Sequence, residues 1–181
     1  MGPTNRIDLA FTPPRAARSF CACGFTLVEM LTVLSVLSVV VGIAAPGLRS
    51  FAAGQKLKAL SYDMTTDLLL ARSEALKRNA SVSMAASGPT WASGWTLVAA
   101  GENISTRAAA NESLTFTGTS AVPVVPTSII FDVNGRATTV PASAGGVRMT
   151  ISSSTASGAN AKRCIQLDVS GRARSLVGAC T

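Results

Sequence analysis

A chain of 181 residues has room for one domain of ordinary size and an anchoring segment, with no space for a second catalytic domain. It contains no histidine, so the commonest general base and the commonest transition-metal ligand are both missing, and Ser/His/Asp or Cys/His catalysis is excluded. The formal net charge is +7, and 13 of the 16 Lys and Arg against 8 of the 9 Asp and Glu lie from Phe25 onward, so the basic excess belongs mostly there.

The chain opens on a short basic stretch holding Arg6, Arg15 and Arg18. It then runs from Phe25 to Ala45 as FTLVEMLTVLSVLSVVVGIAA, 21 residues with one charge. As a helix rising about 1.5 Å per residue, this run crosses roughly 30 Å of hydrocarbon. The three Arg hold the N-terminus on the cytoplasmic side, so everything after Ala45 is expected to be exported. A conventional secretory signal fits poorly, because the apolar run is too long and no small-x-small cleavage site precedes a polar start. Glu29 is the one ionisable residue inside the run. Such a charge is costly unless it is paired or snorkels to the interface from a position near the helix end.

Gly24-Phe25-Thr26-Leu27-Val28-Glu29-Met30, followed by the uninterrupted apolar run and Pro46, resembles the processing motif of type IV pilins and type II secretion pseudopilins. The resemblance implies cleavage after Gly24 by prepilin peptidase, N-methylation of Phe25 and packing of the helix in a filament with other major and minor pilins. Glu29 would then neutralise the new amino terminus of a neighbouring subunit. One departure is Cys21-Ala22-Cys23, which stands where such leaders usually carry Lys or Arg directly before the Gly.

From Leu48 to Asn79 the pattern stays helical, with Leu57, Leu60, Met64, Leu68, Ala71 and Ala75 at steps of three and four. Asp63, Asp67 and Glu74 alternate with Lys56, Lys58, Arg72, Lys77 and Arg78 on what reads as a solvated face. Asn79 is the expected C-terminal stop. Beyond it the pattern turns to short β-like runs at Ser81–Ala85, Gly94–Ala99, Ser113–Thr117, Ser128–Val133, Val147–Ser152 and Cys164–Val169. The intervening Ala85–Trp91, Gly101–Glu112, Gly118–Thr127, Pro141–Gly146 and Ser153–Ala161 read as loops. Trp91, Trp95, Phe116 and Phe131 are expected in the core, and no internal repeat is evident.

The expected fold is α+β: a long N-terminal helix, membrane-spanning in its first half, packed on a small antiparallel sheet or sandwich. The expected organisation is a leader over 1–24, an apolar helix over 25–45, its amphipathic continuation over 46–79 and a β-rich domain over 80–181. Cys164 and Cys180 enclose 15 residues, and in an exported domain they are expected to form a disulfide contributing roughly 3 kcal/mol.

The C-terminal region is the least balanced part of the chain. From Phe131 onward Arg136, Arg148, Lys162, Arg163, Arg172 and Arg174 face only Asp132 and Asp168. In Gly171-Arg172-Ala173-Arg174 the Gly can make a turn, and the two Arg, about 6.6 Å apart in an extended segment, point to one side. That spacing suits successive phosphates of a nucleic acid, and the guanidinium fork suits phosphate oxygens. Such a cluster reads either as a solvated basic surface or as a site that could bind DNA through the backbone, without base readout and with strong salt dependence. Asp168 reads as a local ion pair with Arg172. No acid pair, nucleophile–base pair or phosphate loop appears, so no enzyme, metal or cofactor is implied.

Phe131-Asp132 with Gly135-Arg136, and the late Cys-strand-Gly-Arg segment, resemble the GspH/FimT group of minor pilins and pseudopilins. Within that group the FimT-type subunits of natural transformation carry a C-terminal GRxR element that contacts DNA, and Gly171-Arg172-Ala173-Arg174 matches it. The resemblance implies DNA contact by Arg172 and Arg174, with Lys162, Arg163, Arg136 and Arg148 as neighbours. Two functions stay open: a minor pilin that captures extracellular DNA, or a structural subunit that primes filament assembly and never touches DNA.

Overall fold

The computed structural model describes residues 24–110, 114–119, 124–140 and 146–181. The leader up to Cys23, with its three Arg and two Cys, lies outside the described residues. The chain divides into two compact units, Met1–Val40 and Val41–Thr181. Helix α1 (Leu27–Arg78) begins in the first and ends in the second, and Pro46 sits inside it without ending it.

In the first unit every side chain from Gly24 to Val40 is exposed, and the segment is long and apolar enough to cross a membrane. Thr26 caps the helix by accepting the Glu29 backbone N–H on Oγ1 at 3.2 Å. The hydroxyls of Thr32, Ser35 and Ser38 donate to carbonyls one turn back, at 2.8, 2.8 and 2.7 Å. These few polar groups therefore find partners within the helix, as a hydrocarbon surrounding requires.

In the second unit α1 buries Leu57, Met64, Leu68, Ala71 and Ala75 of the expected stripe, and with them Ala53, Gly54, Ser61 and Asp67. Leu60 lies partly buried beside it. Asn79 stops the helix in a left-handed conformation at φ 49°, and Ala80 N–H reaches back to the Ala75 carbonyl at 3.3 Å.

Among the described residues, nine strands form two antiparallel sheets. They are β1 (Val82–Ala86), β2 (Trp95–Ala99), β3 (Glu102–Arg107), β4 (Leu114–Thr117), β5 (Ser128–Phe131), β6 (Ala137–Val140), β7 (Val147–Ser153), β8 (Lys162–Leu167) and β9 (Ala173–Val177). One sheet has the order β3-β2-β1-β5-β6 and the other β4-β7-β8-β9. Val82 and Met84 of β1 face Ala99 and Leu97 of β2 on one side, and Phe131 and Ile129 of β5 on the other. These residues join Met149, Ile151, Ile165 and Leu167 from the second sheet and the buried stripe of α1 in one apolar core. Trp91, Trp95 and Phe131 are fully inside it, while Phe116 is only partly buried against it.

Three strands go beyond the sequence reading. β3 occupies a stretch expected as loop, and β6 and β9 were not expected. All three are edge strands, and the positions they turn inward carry small or polar residues such as Ala137, Thr139 and Ala173, so no run of large apolar residues marks them. A short 3-10 turn at Trp91–Ser93 begins where the first expected loop ends, and another at Gly158–Ala161 closes the last one.

The solvated-face reading of α1 also needs correction. Asp67 is 6 % exposed and accepts the Trp95 indole N–H on Oδ2 at 2.8 Å, while Arg107 approaches the same oxygen at 3.7 Å. A carboxylate in the core is tolerated here because a donor and a cation satisfy it. Arg72 is half-buried, and its Nε makes no hydrogen bond among the described residues.

Candidate functional site

The expectation of no internal repeat is overturned by the hairpins β5–β6 and β8–β9. Phe131-Asp132-Val133-Asn134-Gly135-Arg136-Ala137 and Leu167-Asp168-Val169-Ser170-Gly171-Arg172-Ala173 agree at five of seven positions. The two turns have the same backbone closure. Gly135 N–H donates to the Asp132 carbonyl at 2.8 Å, and Gly171 N–H to that of Asp168 at 2.8 Å. Asp132 N–H then reaches the Arg136 carbonyl at 3.0 Å, and Asp168 N–H that of Arg172 at 3.1 Å. Gly135 and Gly171 take φ +72° and +78°, the left-handed position of a three-residue hairpin loop.

The turns belong to different sheets, yet they meet. Ala137 N–H donates to the Val169 carbonyl at 3.0 Å, and a Cβ on Gly171 would fall on the Gly135 carbonyl oxygen. Both glycines also press on Arg72, whose Nε lies 3.1 Å from where either Cβ would stand. The carboxylates differ in use. Asp132 Oδ1 accepts the N–H groups of Asn134 and Arg136 at 2.9 and 2.8 Å, whereas Asp168 Oδ2 receives Arg174 Nη2 at 3.3 Å. The ion pair expected between Asp168 and Arg172 is therefore made by Arg174 instead, because an extended chain carries Arg174 back across the turn to the acid.

Arg172 and Arg174 are exposed on either side of buried Ala173, as an extended segment with both Arg on one side requires. Across the sheet Arg174 pairs with Gln166, and Gln166 with Arg148, so Arg148, Gln166 and Arg174 share one row. Adjacent strands lie about 4.8 Å apart, which puts the two Arg backbones of that row about 10 Å from each other. Arg148 donates to the Thr181 backbone oxygen at 2.9 Å. The side chains of Arg136 and Arg172 are exposed and make no ion pair or hydrogen bond among the described residues.

The Lys162-Arg163 pair is not part of this cluster. Alternation along β8 turns Arg163 to the inner face, where it is 7 % exposed with an unpartnered Nε, so it is not available to a surface ligand. Lys162 is exposed but pairs with Ser152, about 13 Å along the strand from the Gln166–Arg174 rung. The Cys164–Cys180 disulfide is formed, with Cα atoms 4.9 Å apart. It folds the tail back over the sheet, where Cys180 N–H donates to Thr150 Oγ1 at 2.9 Å and Gly178 N–H to the Lys162 carbonyl at 3.0 Å.

Gly24, Phe25 and Glu29 lie together at the start of α1, all exposed. Glu29 sits in the first turn, where the helix dipole favours an acid, and its side chain has no partner among the described residues.

Residues 62–171 match the model of the family described as type II transport protein GspH. The chain belongs to the GspH family. Residues 20–45 match the prokaryotic N-terminal methylation motif, which covers Gly24, Phe25 and Glu29. Together the GspH-family match and the methylation motif make this a pilin-like subunit, with prepilin peptidase processing and pilin partners as the consequence. The chain is also similar to the type IV minor pilin FimU of Pseudomonas aeruginosa strain PAO1 in two crystal forms. One likeness has 22% identity, covers 66% of this chain and 91% of the other, and has a TM-score of 0.49. The second has 21% identity, coverage of 71% and 92%, and a TM-score of 0.46. No curated protein matches the chain.

Proposed function

We propose that this GspH-family subunit is a minor pilin that binds extracellular DNA through the phosphate backbone, for uptake during natural transformation. The supporting observation is the cationic face at the β8–β9 hairpin. Arg172 there is exposed and unpaired among the described residues, and beside it Arg174, ion-paired to Asp168, shares a cross-strand row with Arg148. Exposed guanidinium groups on a rigid sheet hold phosphate oxygens without reading bases, so the binding is independent of sequence and weakens with salt. The subunit spans the inner membrane once before assembly, with its β-domain in the periplasm, and Glu29 meets the amino terminus of a neighbouring subunit in the filament.

The competing reading is a structural subunit that primes a type IV pilus or a type II secretion pseudopilus and makes no contact with DNA. Replacement of the chromosomal copy by the Arg172→Ala/Arg174→Ala variant in a transformable host separates the two. The DNA reading expects normal filaments and a loss of DNA uptake. Loss of filaments, or full uptake by the variant, contradicts it.

A further inference from the structure

The duplicated turn carries an inference about how this site grips its ligand, and it rests on the DNA reading above. Natural selection of one Gly-Arg turn explains one exposed arginine. Here two turns of nearly identical sequence, from two different sheets, are bonded to each other and seated on the same helix residue. We infer that the β5–β6 and β8–β9 turns form one composite phosphate-binding site, in which Arg136 contributes as much as Arg172.

The geometry supports equal weight. Each Arg follows its left-handed Gly directly, so the shared backbone closure presents both side chains in the same way from the two hairpins. Arg136 adjoins Ala137, whose N–H reaches Val169, and Val169 lies in the turn that Arg172 closes. Both guanidinium groups are exposed, and neither is committed to an acid among the described residues. Beneath them Arg72 adds a third positive charge that also has no acid partner among the described residues. On adjoining turns held together by backbone hydrogen bonds, two cationic side chains can reach phosphates of one duplex with only their own rotamers left to order. A lone basic tail would have to be ordered first.

The test compares Arg136→Ala, Arg172→Ala and the pair, each in the full chain purified in neutral detergent with its disulfide intact, against a short DNA duplex over a range of salt. Neither side chain makes a hydrogen bond or ion pair among the described residues, so both variants should keep their fold, which circular dichroism checks. Lys58→Ala, placed about 21 Å down α1 from Arg72, is the charge-matched control. Each Arg variant should weaken binding roughly threefold to tenfold at moderate salt and lower the slope of log K against log salt by about 1, and the pair by about 2. The control should match the parent. If Arg136→Ala binds with the parent's affinity and slope while Arg172→Ala does not, the composite site is wrong and the DNA reading stands. If the parent itself fails to bind, both fall together.

Discussion

Asp67 shows how a single residue can carry a role that its neighbours in sequence conceal. Read along the helix it is one of several alternating charges, but in the fold it is buried and holds the indole N–H of Trp95 and the approach of Arg107. Asp67→Ala leaves a buried donor unpaired and should cost roughly 2–3 kcal/mol. Asp67→Asn keeps an acceptor and should cost less. Urea unfolding of both variants checks the order, and equal midpoints for Asp67→Ala and the parent would show that the indole finds another partner. Arg163 teaches the same lesson in reverse, since its neighbour Lys162 reaches solvent while alternation along β8 takes Arg163 inside. The aromatic residues were easier to place. Trp91, Trp95 and Phe131 are too large to remain outside a domain of this size, and hydrophobicity alone puts them in the core.

Among the elements, α1 was legible in its extent and in most of its apolar stripe, though not in the burial of Ser61 and Asp67. Its buried stripe repeats every three or four positions, and Asn79 tolerates the left-handed stop that ends it. The inner strands β1, β2, β5, β7 and β8 were legible too, because each turns large apolar residues inward, among them Met84, Leu97, Ile129, Ile151 and Ile165. β3, with the polar sequence Glu102-Asn103-Ile104-Ser105-Thr106-Arg107, could not be read that way, and neither could the edge strands β6 and β9. β3 is held by its pairing with β2, and an exposed ion pair adds modestly at its start. Arg78 in the last turn of α1 bonds Glu74 at 2.6 Å and Glu102 of β3 at 2.6 Å. The Arg78 hydrogen bond, with Lys77 adding to it against the opposing effect of burial, holds the Glu74 carboxyl below its ordinary value of 4.5. A depressed carboxylate stabilises the fold fully above its unfolded value and loses that contribution as pH falls through the lower folded value. Thermal midpoints should therefore fall below about pH 4.5 more steeply in the parent than in Glu74→Gln. Parallel curves would mean that the ion pair contributes nothing to the fold.

At the scale of the whole molecule, the anchor and the basic domain answer to different constraints. The apolar stretch needs a hydrocarbon or protein surrounding, and its length and lone Glu29 were plain in the sequence because a membrane tolerates few alternatives. The β-domain needs a core, which the two sheets and α1 supply. Beyond the core its surface is free to vary, and that surface holds the excess of Lys and Arg. The composition revealed the excess but not its arrangement, because only the strand register puts Arg148 in one row with Arg174, and only the meeting of two turns brings Arg136 beside Arg172.

The most direct measurement of the central claim is a titration of the full chain, in neutral detergent, with duplexes of two unrelated sequences at low and moderate salt. The account predicts equal affinity for both sequences, a slope of log K against log salt of about −0.9 for each phosphate held, and loss of binding in Arg172→Ala/Arg174→Ala. Binding that ignores salt, or that survives in the double variant unchanged, would contradict it.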